Sequence, residues 1–194
     1  GNFLYMLKGA MPDELSEQVF DDCLILHIDH GFNASTFTGR VIASTLSDIY
    51  SAVTGAIGSL RGPLHGGANQ KVMVMLQEIG EPARAEAYVR DLLERKVKVM
   101  GFGHRVYKTK DPRARTLQGL ARELFATHGS TPIYDVALAL EEEVVKRLGG
   151  RGIHPNVDFF SGIVYQKLGI PTDVFTPIFA MARVAGYLAH WQEQ

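Results

Sequence analysis

Apolar residues recur with the 3.6-residue period of a helix through nearly the whole chain, punctuated at short intervals by proline and glycine. No stretch shows the sustained alternation of β-branched residues between hairpin turns that marks strands. This pattern restricts the chain to an all-α fold. The 194 residues allow one large domain or two small ones, and a 46% hydrophobic content places the chain among those that bury a core.

Start and stop signals divide the pattern. Pro12, Asp13 and Glu14 suit a first turn, predicting a helix from about Met11 to His30, ended by Gly31. A second, capped by Ser35 or Thr36, is predicted to reach about Ser59, with Ala43, Ala52, Gly55, Ala56 and Gly58 permitting close packing. Gly62-Pro63 breaks it, a third runs from Leu64 to Ile79, and Glu81-Pro82 opens a fourth ending near Arg95. Val97 to Met100 is too short to assign. Asp111-Pro112 reads as N-cap and first position of a helix to Thr127. Further helices are predicted from Thr131-Pro132 to Gly149-Gly150, from Asn156 to Leu168-Gly169, and from Thr172 to His190, where Pro177 either kinks the helix or delays its start. Glu141-Glu142-Glu143 reads as a solvated helix face.

Charge and cysteine content exclude several classes. A formal net charge of -1 leaves no broad positive field for nucleic acid. The single cysteine, Cys23, has no intrachain partner and lies in an apolar run, as a small buried hydrophobe would. No apolar run approaches the roughly 18 residues needed to span a bilayer, and no signal-peptide pattern opens the chain. A soluble, cytoplasmic protein is expected.

Candidate chemistry concentrates in a few polar residues set among glycines. His65 lies in Gly62-Pro63-Leu64-His65-Gly66-Gly67, near a predicted helix N-terminus whose positive end favours a neutral ring able to donate one hydrogen bond. The competing reading is a buried histidine bonded to backbone. His104, between Gly103 and Arg105, stands where backbone can approach a ligand closely; no βαβ unit surrounds Gly101-Phe102-Gly103, which excludes a dinucleotide loop. Arg105, Lys108 and Lys110 form a phosphate contact or a plain basic surface. Asp158 follows Asn156 at a helix start and precedes Phe159-Phe160, so burial and the helix end pull its basicity in opposite directions. His27 and His30 read as one turn apart on a helix, as an anion or carbonyl site rather than a metal site, since no third histidine or cysteine has ligand spacing. Arg113 and Arg183 either clamp a carboxylate or sit on the surface.

Taken in order, His30-Gly31-Phe32-Asn33-Ala34-Ser35-Thr36, GPLHGGANQ at 62–70, GFGHRVYKTKDPRA at 101–114, PNVDFFSG at 155–162 and the closing FTPIFAMARVAGYLAHW resemble citrate synthases, including the similar 2-methylcitrate synthases, over nearly the whole chain. The resemblance implies an all-α homodimer of the tricarboxylic acid cycle. Residues 1–65 and 164–194 would belong to a large domain and 66–163 to a small, mobile domain that binds CoA. It also implies roles. Asp158 would remove a methyl proton from acetyl-CoA, His65 would stabilise the resulting enol oxygen, and His104 would polarise the oxaloacetate ketone. His30, Arg113 and Arg183 would bind oxaloacetate, and Lys108 and Arg151 would contact CoA. No metal and no permanently bound cofactor is implied; CoA serves as co-substrate.

Members of that family are about twice as long, with further large-domain helices before the segment matching Gly1 and a C-terminal arm whose arginine reaches the partner subunit's site. A piece of this length is therefore expected to be poorly active alone. Formation of 2-methylcitrate from propionyl-CoA, or a non-catalytic helical oligomerisation module, are the alternatives.

Overall fold

The computed structural model describes residues 1–62 and 64–194. Among them are ten α-helices: α1 (Asn2–Lys8), α2 (Glu14–His27), α3 (Ala34–Ala43), α4 (Ile49–Leu60), α5 (Ala68–Ile79), α6 (Ala85–Glu94), α7 (Pro112–His128), α8 (Pro132–Leu148), α9 (Val157–Lys167) and α10 (Phe175–Gln192). No strand forms among the described residues, where the one β feature is an isolated antiparallel bridge between Phe102 and Pro155. The fold is all-α, as the periodicity requires. No described helix is long and apolar enough to cross a membrane.

The chain divides into two compact units. The first comprises residues 1–68 and 173–194, the second 69–172. In the first, α10 packs on α2, α3 and α4, and α3 packs on α4. Gly39 lets that last pair approach: a Cβ there would stand 3.4 Å from the Ala56 Cβ. Phe20, Cys23, Ala56, Leu60, Phe175 and Ile178 fill the interior. Burial keeps the Cys23 thiol protonated, with the neighbouring Asp22 charge adding to the effect. In the second unit α7 packs on α9 and α6 on α8, around Leu117, Leu124, Phe159, Phe160 and Ile163.

Several boundaries differ from the sequence pattern. Helix α1 was not predicted. Helix α2 ends at His27 rather than His30, so His27 and His30 do not share a helix. The predicted helix from 35 to 59 is two, α3 and α4: Leu46 takes a left-handed conformation, φ 62°, and Asp48 restarts the chain by accepting hydrogen bonds from Ser51 N (3.0 Å) and Ser51 Oγ (2.8 Å). Helix α5 starts at Ala68, four residues after the predicted Leu64. Pro63, taken as part of the helix break, lies outside the described residues. Pro177 delays a start rather than kinking an interior: Thr172–Val174 is a 3-10 turn and Pro177 falls in the first turn of α10, where its missing N–H costs no helical hydrogen bond. Glu141 is not part of a solvated face, since its carboxylate is half-buried and takes a hydrogen bond from Lys110 Nζ at 2.5 Å and another from Gln118 Nε2 at 2.9 Å.

Candidate functional site

Each unit gathers part of the predicted set. In the first, His65 sits in a turn between α4 and α5 that is fixed at several backbone points. Its own N–H donates to Gly62 O (2.9 Å), and Gly66 N–H donates to Leu60 O (2.8 Å). Thr176 Oγ1 of α10 donates to Gly66 O at 3.1 Å. Gly66 is required here, because a Cβ would stand 2.5 Å from Leu60 O. The imidazole Nε2 meets Ser35 Oγ at 2.8 Å, and Ser35 Oγ lies 2.7 Å from Asn33 Oδ1. Burial, followed by the Arg183 charge, lowers the His65 pKa to about 4, so the ring is neutral at physiological pH. The sequence attributed this neutrality to a helix dipole, but α5 begins three residues later and desolvation is the larger cause.

Arg183 is not a surface arginine. It is 1% exposed on α10, its Nε donates to His27 O at 2.7 Å and its guanidinium lies over the Phe179 ring at 4.9 Å. His27 is fully buried, with Nδ1 2.7 Å from Cys23 O and its ring edge-on to Phe179 at 4.9 Å. It serves as a backbone-bonded support for Arg183. His30 stands in the half-exposed loop between α2 and α3, where Asp29 Oδ2 accepts from Gly31 N–H at 3.1 Å. Burial holds the Tyr187 pKa above the usual phenol value, outweighing the opposite pull of Ser35 and of the Arg183 charge.

In the second unit two loops are stitched together. Gly103 N–H donates to His154 O (2.8 Å) and Asn156 N–H to Gly101 O (2.9 Å), flanking the Phe102–Pro155 bridge. Asn156 also donates from Nδ2 to Gly103 O (3.0 Å) and accepts from Asp158 N–H (3.0 Å). One asparagine therefore caps α9, which carries Asp158, and ties down the turn that carries His104. Asp158 is half-exposed while Val157, Phe159 and Phe160 beside it in sequence are buried.

His104 has a defined tautomer. Its Nδ1 accepts from the backbone N–H of Val106 (3.0 Å) and Tyr107 (3.3 Å). A neutral imidazole has only one acceptor nitrogen, so the ring proton sits on Nε2. Burial lowers its pKa, with the Arg113 and Lys108 charges adding to the effect against Asp111. Arg113 is clamped by Asp111: Nε meets Oδ1 at 3.1 Å and Nη2 meets Oδ2 at 2.7 Å, while the Arg113 N–H caps on Oδ1 at 2.9 Å. Burial pushes the Asp111 carboxyl up, but the hydrogen bonds and charge of Arg113 outweigh it and the net pKa falls below the usual range. The Arg113 Nη2 stands 3.5 Å from His104 Nε2. With the ring proton on Nε2, two N–H groups of different side chains stand next to each other here.

Lys108 and Arg151 are both exposed, and their segments meet: a Cβ on Gly152, itself at φ 75°, would lie 3.0 Å from Lys108 O. Among the described residues no group of histidine, cysteine and acidic side chains could hold a metal ion. Sequence reading took Asp111 for a helix cap alone and Ser35 for a candidate cap, and did not single out Tyr187. An aspartate two residues before an arginine across a helix-starting proline was the available signal for the Asp111 clamp.

A family model described as the C-terminal domain of citrate synthase matches residues 1–194. A citrate synthase of Synechocystis sp. is 58% identical over 193 residues, covering 100% of this chain and 49% of that protein. A 2-methylcitrate synthase of Shewanella oneidensis is 47% identical over 193 residues, covering 100% of this chain and 51% of that protein. The structure of Thermoplasma acidophilum citrate synthase in a ternary complex with carboxymethyl coenzyme A and oxaloacetate superposes with a TM-score of 0.93 at 42% identity, covering 98% of this chain and 51% of that one. The chain spans about half the length of the curated relatives it matches.

Proposed function

The chain belongs to the citrate synthase family, and from that membership we propose that it carries the machinery for joining acetyl-CoA to oxaloacetate, releasing citrate and CoA. The Asp158 carboxylate takes a proton from the thioester methyl. A methyl of this kind is a weak carbon acid, so the charge developing on the thioester oxygen must be stabilised in the same step, and the neutral His65 supplies a hydrogen bond to it. Donation to substrate from His65 Nδ1 requires the one Ser35 hydroxyl proton to turn from Asn33 Oδ1 to His65 Nε2.

The methyl carbon then attacks the oxaloacetate ketone, whose oxygen accepts from His104 Nε2–H as it gains charge. His30, Arg113 and Arg183 hold the remaining oxygens of the keto acid. Water cleaves the thioester of citryl-CoA, giving the carboxylate and the free thiol. Lys108 and Arg151 contact the CoA phosphates in the second unit, which acts as the CoA-binding domain, and the protein assembles as a homodimer.

The observation that carries this proposal is the adjacency of His104 Nε2 and Arg113 Nη2, 3.5 Å apart. A keto acid presents a ketone and a carboxylate oxygen on adjacent carbons, which suits such a pair. Similarity to a protein named 2-methylcitrate synthase supports a second reading, with propionyl-CoA as the acyl donor; one added methylene alters pocket preference by roughly 1–3 kcal/mol. Thiol release from acetyl-CoA and from propionyl-CoA, each with and without oxaloacetate, separates the two. Oxaloacetate-dependent release with acetyl-CoA preferred supports citrate formation, preference for propionyl-CoA supports 2-methylcitrate formation, and no release with either, measured on a chain as long as the relatives, refutes both and leaves a helical oligomerisation module.

A further inference from the structure

The end of α10 is fastened to the loop that carries His30. His190 Nε2 stands 3.3 Å from Asp29 Oδ1, one residue before His30. On the other side of the same ring, Arg40 Nη1 reaches His190 Nδ1 at 3.1 Å and Glu193 Oε2 at 2.9 Å, and Glu193 Oε2 lies 3.4 Å from His190 Nδ1. Arg40 also covers the Phe32 ring at 5.1 Å, two residues after His30. The approach is close by construction: a Cβ on Gly186 would stand 3.1 Å from both Asp29 Cβ and Asp29 Oδ1. Asp29 in turn holds the loop from within, through Gly31 N–H.

A neutral imidazole with its proton on Nε2 satisfies both sides of this arrangement, accepting from Arg40 and donating to Asp29. The ring is then a short rigid link between α3 and the loop before it. Its side chain is only 15% exposed, so the link is largely shielded from competing water.

We propose that His190 is a positioning residue for substrate capture: with Asp29 and Arg40 it fixes the loop from Ile28 to Asn33 so that His30 is presented to the keto acid in one orientation. This rests on the assignment of His30 to oxaloacetate made above. His190 touches no substrate in this scheme and acts through Asp29. Its effect falls on keto-acid affinity rather than on acyl-CoA affinity.

The test pairs His190→Leu, which keeps bulk and loses both hydrogen bonds, with His190→Gln, which retains one donor and one acceptor. Hydrogen exchange of the 28–33 amides and calorimetric titration with oxaloacetate are measured on each. In His190→Leu the loop amides exchange roughly tenfold faster and oxaloacetate binds roughly tenfold more weakly, with CoA affinity unchanged, as expected for loss of a charge-assisted link. His190→Gln recovers most of both. Unchanged exchange at 28–33 in His190→Leu, exchange that quickens equally along α2 and α3, or unaltered oxaloacetate affinity beside a loosened loop would each overturn the proposal. A wild-type protein that takes up no oxaloacetate would instead refute the assignment of the site, and the exchange comparison would still decide whether the link exists.

Discussion

His65 Nε2 lies 2.8 Å from the hydroxyl of Ser35, thirty positions earlier in the chain, so the His65 ring is oriented by the first turn of α3. Ser35 is fully buried and is itself held near Asn33 Oδ1. Replacing Ser35 by Ala removes the group that selects the His65 tautomer. The expected result is a kcat lower by roughly tenfold with little change in oxaloacetate KM, because the lost interaction acts on the enol-forming step. Steady-state kinetics of Ser35→Ala check this.

The pKa of His65, lowered to about 4, carries a sign that can be tested. In the unfolded chain the imidazole titrates near about 6.5, so between those values the unfolded state binds more protons than the folded one. Stability due to this group is therefore present above the unfolded value and is lost as pH falls from about 6.5 towards 4. His65→Asn should flatten the pH dependence of thermal unfolding in that window. Imidazole NMR of the wild type should show one ring that stays neutral at pH 5.5.

Asp111 holds Arg113 through two side-chain contacts of 3.1 and 2.7 Å. Asp111→Asn replaces a carboxylate that accepts at both oxygens with an amide that accepts at one. The guanidinium is then free to swing from His104 Nε2, and oxaloacetate KM should rise roughly tenfold, in line with the loss of one charged hydrogen bond. Acetyl-CoA KM should move much less. Varying each substrate separately distinguishes the two.

Two glycines of one turn should respond differently. Gly101 has φ 78° and its Cβ would lie 2.7 Å from Val72 Cγ2 and 3.0 Å from Phe159 Cβ, whereas Gly103 has φ 85° with no atom within 4 Å. Gly103→Ala carries only the backbone cost of roughly 1–2 kcal/mol. Gly101→Ala adds overpacking of roughly 1–3 kcal/mol. Urea unfolding should rank Gly101→Ala below Gly103→Ala, and both below wild type.

The fold class was legible because a 3.6-residue period recurring through nearly the whole chain has few other solutions. The break between α3 and α4 was not, since Leu46 adopts φ 62° without the glycine that ordinarily announces such a turn. Glycine punctuation located the His104 turn but placed His65 within a helix that in fact begins at Ala68, and nothing local revealed that Arg183 would bond the carbonyl of His27, 156 positions away. Burial of a long cationic side chain against a distant backbone atom is a tertiary fact. The Asp111 clamp was half legible, for its capping role is local and its grip on the Arg113 guanidinium depends on a rotamer that spacing does not determine.

The central claim is that Asp158 and His65 together enolise a CoA thioester for attack on a keto acid. It is tested most directly by oxaloacetate-dependent thiol release from acetyl-CoA, compared between the wild-type protein, Asp158→Asn and His65→Asn. Loss of a general base or of an enol-stabilising donor is expected to lower the rate by roughly 10²–10⁴-fold in each variant. Turnover in either variant within a few-fold of wild type would contradict the account.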